Sequence, residues 1–301
     1  MSCSRKGFNA RRQTLWGWIL ISPLCLGLIL WVAFPMGLSL YTSMTQWDML
    51  SKAQFVGFQN YIRIFTEDKL FLKSIQNTLY FTFLSVPLQM IIALGGALLL
   101  NSQVKGKGVF RTIFYLPSLI PIVVSSVMWL WLFNYQYGLI NYFLNLLGAD
   151  RVKWIDSTKM VIPSLAIMNI WNIGNVMVIF LAGLQGIPTD LLEAVDIDGG
   201  RYWHKFRFVI LPLLSPVILY NMIVNVIKCL QLFVEPYIMT NGGPVNSSLS
   251  FVLHIYNNAF KYGKMGIANA MSWVLFILTM IISLIIFKTS NQWTFYEGDK
   301  Q

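Results

Sequence analysis

The sequence predicts an all-α integral membrane protein with six transmembrane helices and a cytoplasmic helical loop between spans four and five. Three observations carry that expectation. Only 11% of the 301 residues are charged and 56% are hydrophobic, whereas a soluble chain carries about 25% charged residues. Six windows without Asp, Glu, Lys or Arg stand out: 13–47, 74–104, 112–149, 160–189, 208–227 and 265–287. Each is long enough for one crossing of about 20 apolar residues, and none for two with a loop between. The runs are also continuous rather than alternating, which argues against a β-barrel.

The same composition excludes other classes. The chain is too apolar and too poor in charge to be disordered. Its three cysteines stand at 3, 25 and 229, odd in number and scattered, so no disulfide framework is written here. A net charge of +10 would suggest nucleic acid in a soluble protein. In an apolar chain it reads as membrane orientation.

Span cores are expected at 15–40, 75–99, 112–134, 162–184, 210–234 and 266–287. Arg5, Lys6, Arg11 and Arg12 precede the first. That stretch is far longer than a secretory signal core and no small-residue cleavage site follows, so it reads as a retained span. With the N-terminus inside, the inner segments hold 12 Lys and Arg in 62 residues and the outer ones 9 in roughly 90. Both termini are therefore expected in the cytoplasm. The division is a cytoplasmic segment over 1–14, a six-span domain over 15–287 and a cytoplasmic tail over 288–301. Pro23, Pro87, Pro117, Pro121, Pro163, Pro212 and Pro216 fall in or beside the spans, where freed backbone groups need neighbouring helices. Gly95, Gly96, Gly266 and Ala270 let helices approach closely.

The cytoplasmic loop 185–208 is the most informative stretch. Thr189, after Pro188, is expected to cap a short helix, with Asp190 and Glu193 near its positive end. Leu191, Leu192, Val195 and Ile197 supply an apolar side, and Gly199 and Gly200 stop the helix. A second short helix carries Tyr202, Trp203, Phe206 and Phe208, interleaved with Arg201, Lys205 and Arg207. The unit is too compact for a linker and too polar for a span.

Glu193-Ala194-Val195, Asp198-Gly199-Gly200, then Leu211-Pro212 and Pro216 resemble the EAA loop of ATP-binding-cassette importer permeases. Val195 and Gly200 stand where that pattern has alanine. The segment Phe55 to Tyr61, Asn77-Thr78, Met239 to Pro244, and Ala268 to Phe276 resemble the sugar-uptake branch, the maltose and glycerol-phosphate type. The resemblance implies a bacterial plasma-membrane permease with a second homologous permease subunit, two ATPase subunits and an extracytoplasmic sugar-binding protein. It implies no cofactor in this chain, ATP and Mg being held by the ATPases. It places Glu193, Ala194, Asp198, Gly199, Leu211 and Pro212 in ATPase coupling. Counting from Glu193, it also implies sugar contacts from Trp171, Asn172, Asn175, Asn225, Lys228, Cys229 and Leu232.

The residues themselves give a related seam. Asn221, Asn225, Lys228, Leu232 and Glu235 follow spacings of 4, 3, 4 and 3, one helix face, flanked by Gln231. Asn169, Asn172 and Asn175 recur every three residues in span four, beside Trp171. Amides bond sugar hydroxyls and indoles stack on sugar rings. Alternatively, the amides bridge helices and Lys228 pairs with Glu235. An ionisable residue inside a span is costly and marks a cavity or partner, and a cation there favours an anionic ligand, such as a uronate-containing oligosaccharide or a sugar phosphate.

No phosphate-binding Gly-x-x-x-x-Gly-Lys-Ser/Thr loop occurs, and Lys105 to Gly108 has the wrong spacing. Energy is expected from another polypeptide, the alternative being an ion-gradient-driven secondary transporter or channel subunit. His204 and His254 read as surface and interfacial residues on opposite sides, unable to share a metal. No enzymatic site is expected. The outer loop 236–265, with its Gly242-Gly243-Pro244 turn, is a candidate for meeting the binding protein.

Overall fold

A computed structural model describes residues 3–102 and 106–295, with side chains from residue 14 onward. The charged N-terminal residues Arg5 to Arg12 therefore carry no side-chain description, and Lys105 and the tail from 296 lie outside the described residues. The chain forms two units. One comprises residues up to Glu67 with Asn258–Trp273, the other Asp68–Asn257 with the residues from Val274.

In the first unit, α1 (Cys3–Leu28) runs through a π turn, Ile29–Ala33, into α2 (Phe34–Ser43). Strands β1 (Thr45–Gln46) and β2 (Gln54–Phe55) pair antiparallel, Thr45 opposite Phe55. Then α3 (Gln59–Thr66) follows. Asn60 is buried and its amide donates to the Ser43 and Thr45 carbonyls, both at 2.8 Å. These bonds replace the ladder that so short a hairpin lacks.

The second unit begins with α4 (Lys69–Asn101), capped by Asp68, whose carboxylate accepts from the Leu70 N–H at 2.9 Å. Then come α5 (Lys107–Leu119), α6 (Ile122–Leu132), α7 (Leu139–Leu146), α8 (Val161–Trp171) and α9 (Gly174–Gln185). The short α10 (Thr189–Ile197) and α11 (Tyr202–Lys205) lead through a π turn, Phe206–Ile210, into α12 (Leu211–Leu230). The chain continues with α13 (Val234–Met239) and α14 (Phe251–Tyr256), and α15 (Met265–Ser290) closes it. One apolar core joins Phe81 of α4, Trp129 of α6, Leu165 of α8 and Leu230 of α12. A second joins Ala93 and Ala97 of α4, Met177 and Phe180 of α9, and Leu214 of α12.

Among the described residues, Thr14–Ser43, Lys69–Asn101, Tyr202–Met239 and Met265–Ser290 are long and apolar enough to cross a membrane. The count reaches six if each of two bent helix pairs is one span. The expected third core, 112–134, is not one straight helix: α5 and α6 meet at 101°. Pro121 supplies no N–H and holds Ile120 extended, at ψ 128°. The expected fourth core, 162–184, bends by 50° between α8 and α9. Gly174 opens α9 there because a Cβ would meet the Ser118 hydroxyl at 2.7 Å and the Phe114 carbonyl at 3.0 Å. Gly96 likewise lets α4 approach Met177 of α9.

Candidate coupling loop and substrate path

The loop after α9 is a pair of short helices joined by a tight turn. Thr189 is not the cap of α10. Pro188 holds that position, at ψ 131°, and Thr189 is the first helical residue, with no side-chain capping bond. A proline cap offers no side-chain oxygen, but its fixed φ sets the chain up to enter a helix. Asp190 lies in the first turn as expected.

The far end of α10 is a complete Schellman closure. Gly200 N–H donates to the Val195 carbonyl at 2.8 Å and Gly199 N–H to the Asp196 carbonyl at 3.0 Å. Gly199 has φ +75°, a conformation that costs an L-residue about 1–2 kcal/mol. A Cβ at residue 200 would collide with Val195 Cγ1. The two departures from the EAA pattern are thus one event: valine at 195 fills the space that alanine at 200 would take. Lys205 and Asp196 form an ion pair at 2.6 Å across the turn, half in solvent, worth no more than about 1 kcal/mol.

The unit is anchored from one side only. Leu192 and Phe206 pack on the second core. Glu193, Ala194, Ile197, Asp198 and Gly199 are exposed, and no residue of α10 is buried. Ile197 stands 86% exposed, and Tyr202, Trp203 and Phe208 each more than 60%. Exposed apolar side chains thus stand around acidic ones on the face turned away from the core. Leu211 and Pro212 lie in the first turn of α12, directly after the π turn.

The polar seam takes a different form from the one the spacing implies. Helix α12 ends at Leu230, and Gln231 to Phe233 are not helical. Leu232 and Glu235 therefore do not continue its face. Pro236 explains the break, since its ring excludes a bond to the Leu232 carbonyl and is tolerated in the first turn of α13. After the break, α13 packs against α6. A cavity of about 220 Å³ results, lined by Asn169, Asn172, Lys228, Cys229, Leu232 and Glu235, with Phe81 and Gln231 beside them. A narrower recess adds Trp171 and Ser125. Trp171 meets Trp129 edge to face at 5.9 Å.

Lys228 and Glu235 line both spaces, yet no ion pair joins them: the described residues contain two such pairs, Lys205–Asp196 and His254–Asp68. Asn172 Oδ1 is buried without a partner, an orphan acceptor awaiting a donor. Asn169 is held by Gln89, whose Nε2 donates to its Oδ1 at 3.2 Å, and itself donates to Cys229 Sγ at 3.6 Å. Gln89 was missed from the sequence, although a glutamine in the middle of an apolar window is the signal that marks it.

Two expected contacts lie elsewhere. Asn225 is buried and bridges helices, donating to the Asn221 carbonyl at 2.9 Å and to Met90 Sδ at 3.9 Å. Asn175 is exposed on the first turn of α9, because the bend at Asn172–Ile173 ends the three-residue recurrence. The histidines also divide. His204 is exposed, whereas His254 is 4% exposed and its Nε2 lies 2.7 Å from Asp68, so it is a buried clasp between α14 and the start of α4. Among the described residues no group of three His, Cys, Asp or Glu could hold a metal.

Comparison with known proteins gives the family and the fold. Residues 85–290 match the family described as binding-protein-dependent transport system inner membrane component. The chain is 35% identical over 301 residues to the probable ABC transporter permease protein YesP of Bacillus subtilis, covering 99% of this chain and 97% of that one. It is 34% identical over 285 residues to the trehalose/maltose transport system permease protein MalF of Thermococcus litoralis, covering 93% and 95%. Its fold matches a chain of the bacterial alginate ABC transporter solved with an alginate pentasaccharide-bound periplasmic protein, at a TM-score of 0.80, 22% identity, and coverage of 95% and 97%. A family match over most of the chain, two relatives above 30% identity and a shared fold lead to one conclusion: this chain belongs to the inner-membrane permease components of binding-protein-dependent ABC transport systems.

Proposed function

We propose that the chain is the transmembrane permease subunit of an ATP-driven importer of oligosaccharides or related sugars. It alternates between outward and inward access and performs no covalent chemistry. Sugar transport relatives such as the trehalose/maltose permease support the cargo class. The observation that carries the coupling is the α10–α11 unit, anchored on one side and exposed on the other, and continuous with α12. Glu193, Ala194, Asp198 and Gly199 form the surface that meets an ATPase, and Leu211 and Pro212 pass its motion into span five.

In this reading each bent helix pair is one span, giving six over 15–287, with residues 1–14 and 288–301 cytoplasmic. The charge bias between inner and outer segments supports that orientation. The working assembly adds a second permease, two ATPase subunits that hold ATP and Mg, and an extracytoplasmic binding protein. Trp171, Asn172, Lys228, Cys229 and Leu232 form this subunit's share of the sugar path, with Asn175 and Asn225 at its margins. The unpaired Lys228 ammonium supports an anionic sugar as cargo. An ion-gradient-driven carrier is the alternative, and the family match disfavours it.

Gly199→Pro tests the lever. Proline locks φ near −65°, while the turn needs +75°. Membrane insertion and basal ATP hydrolysis of the assembled complex are expected to persist while sugar uptake falls at least about tenfold. Unchanged uptake would contradict the lever.

A further inference from the structure

Gln89, midway along α4, is only 1% exposed, and a buried amide is costly unless its groups are paired. Its Nε2 reaches α8 twice. It donates to the Asn169 backbone carbonyl at 3.3 Å and to Asn169 Oδ1 at 3.2 Å. The backbone carbonyl decides which way both amides face. A carbonyl oxygen only accepts, so the Gln89 atom beside it is the nitrogen. The Asn169 atom which that same nitrogen meets is then the oxygen. Asn169 is left with its N–H groups for the other side. One of them donates to Cys229 Sγ of α12 at 3.6 Å, a weak acceptor. Asn169 also lines both the cavity and the narrower recess.

The consequence is a polarity. Asn169 brings N–H donors to a cavity also lined by Lys228, whose ammonium only donates. Asn172 Oδ1, buried without a partner, is an acceptor at the same place. A cargo group rich in acceptor oxygens, a carboxylate above all, satisfies the donors, and a hydroxyl beside it satisfies Asn172. With Gln89 gone, the Asn169 amide is free to turn its oxygen towards Cys229 and the cavity, where a carboxylate would meet an acceptor. Helix packing alone does not account for a glutamine here. Its own Oε1 is buried without a partner, a cost that an apolar side chain joining α4 to α8 would not carry.

We propose, resting on the importer reading, that Gln89 is a positioning residue of the sugar path: by holding Asn169 Oδ1 it makes Asn169 a donor to the cargo, and so selects acceptor groups such as a carboxylate. Gln89→Met keeps the side chain's length while removing both the donor and the orphan Oε1, so folding survives. The test uses the assembled complex in ATP-loaded proteoliposomes with saturating binding protein, so that the rate reports the membrane complex rather than delivery. The probes are trigalacturonate and maltotriose, acidic and neutral sugars of equal length. Gln89→Met is expected to lower trigalacturonate uptake about tenfold relative to maltotriose uptake. In an Asn169→Leu background the same change is expected to add nothing, because Gln89 acts through Asn169. A spectroscopic readout accompanies the rates: the S–H infrared band of Cys229, isolated as the part that Cys229→Ser removes. Gln89→Met is expected to move it to lower frequency, since an Asn169 oxygen turned towards Cys229 accepts from the thiol. An unmoved band, equal losses for the two sugars, or additive losses in the double variant would each overturn the positioning role. Wild type that takes up neither sugar with ATP would contradict the importer reading instead, and the Cys229 band would still decide whether Gln89 orients Asn169.

Discussion

In the proposed function, Lys228 is the residue on which cargo choice turns. An ammonium inside a span is expensive, and among the described residues no carboxylate forms an ion pair with it, although Glu235 lines the same cavity. Hydrogen bonds to a charged group are worth about 1.5–3 kcal/mol, which converts to a factor of ten or more. Lys228→Gln is therefore expected to lower transport of acidic oligosaccharides at least about tenfold relative to neutral ones of the same length, measured as competing uptake. An equal effect on both would remove the anion preference. Sequence reasoning singled out Lys228 as an ionisable residue within an expected span and Asn172 and Trp171 as an amide and an indole in a charge-free window, and the three line one recess. The single-helix seam does not hold. It assumed one unbroken helix to Glu235, and the segment Gln231 to Phe233 is not helical. Asn225 shows the opposite outcome: its spacing was right, but its amide serves helix packing. The burial of His254 depended on Asp68, 186 positions away, and no local pattern reports such a pair.

At the scale of elements, the coupling loop was the most legible part. Its helix, glycine stop and second helix follow from local rules for caps and positive-φ residues. Only the cap was misassigned, by one residue. The meaning of valine at 195 and glycine at 200 needed the turn's geometry. Gly200→Ala alone forces Val195 to move, an overpacking that costs about 1–3 kcal/mol. Val195→Ala together with Gly200→Ala should recover at least half of that loss, a coupling seen as non-additive thermal shifts of the solubilised complex. Additive shifts would show that the two residues do not share space. The bends were legible only in part. Pro121 marks the break between α5 and α6, but its 101° angle depends on neighbouring helices. The bend after Asn172 has no proline and follows from the close approach of Gly174 to α5.

At the scale of the molecule, the proposed topology divides the net charge of +10 between inner and outer segments rather than gathering it into one basic face. Within the second unit, helices α4, α8, α9 and α12 pack two apolar cores. The sequence holds no phosphate-binding loop of its own, and in the proposed function sugar movement is driven by ATP hydrolysis on partner subunits. The most direct measurement is binding-protein-dependent sugar uptake into ATP-loaded proteoliposomes holding the assembled complex, with orthovanadate inside or a protonophore added. Uptake abolished by vanadate and unchanged by the protonophore is the predicted result. Uptake that survives vanadate and collapses with the protonophore would contradict it.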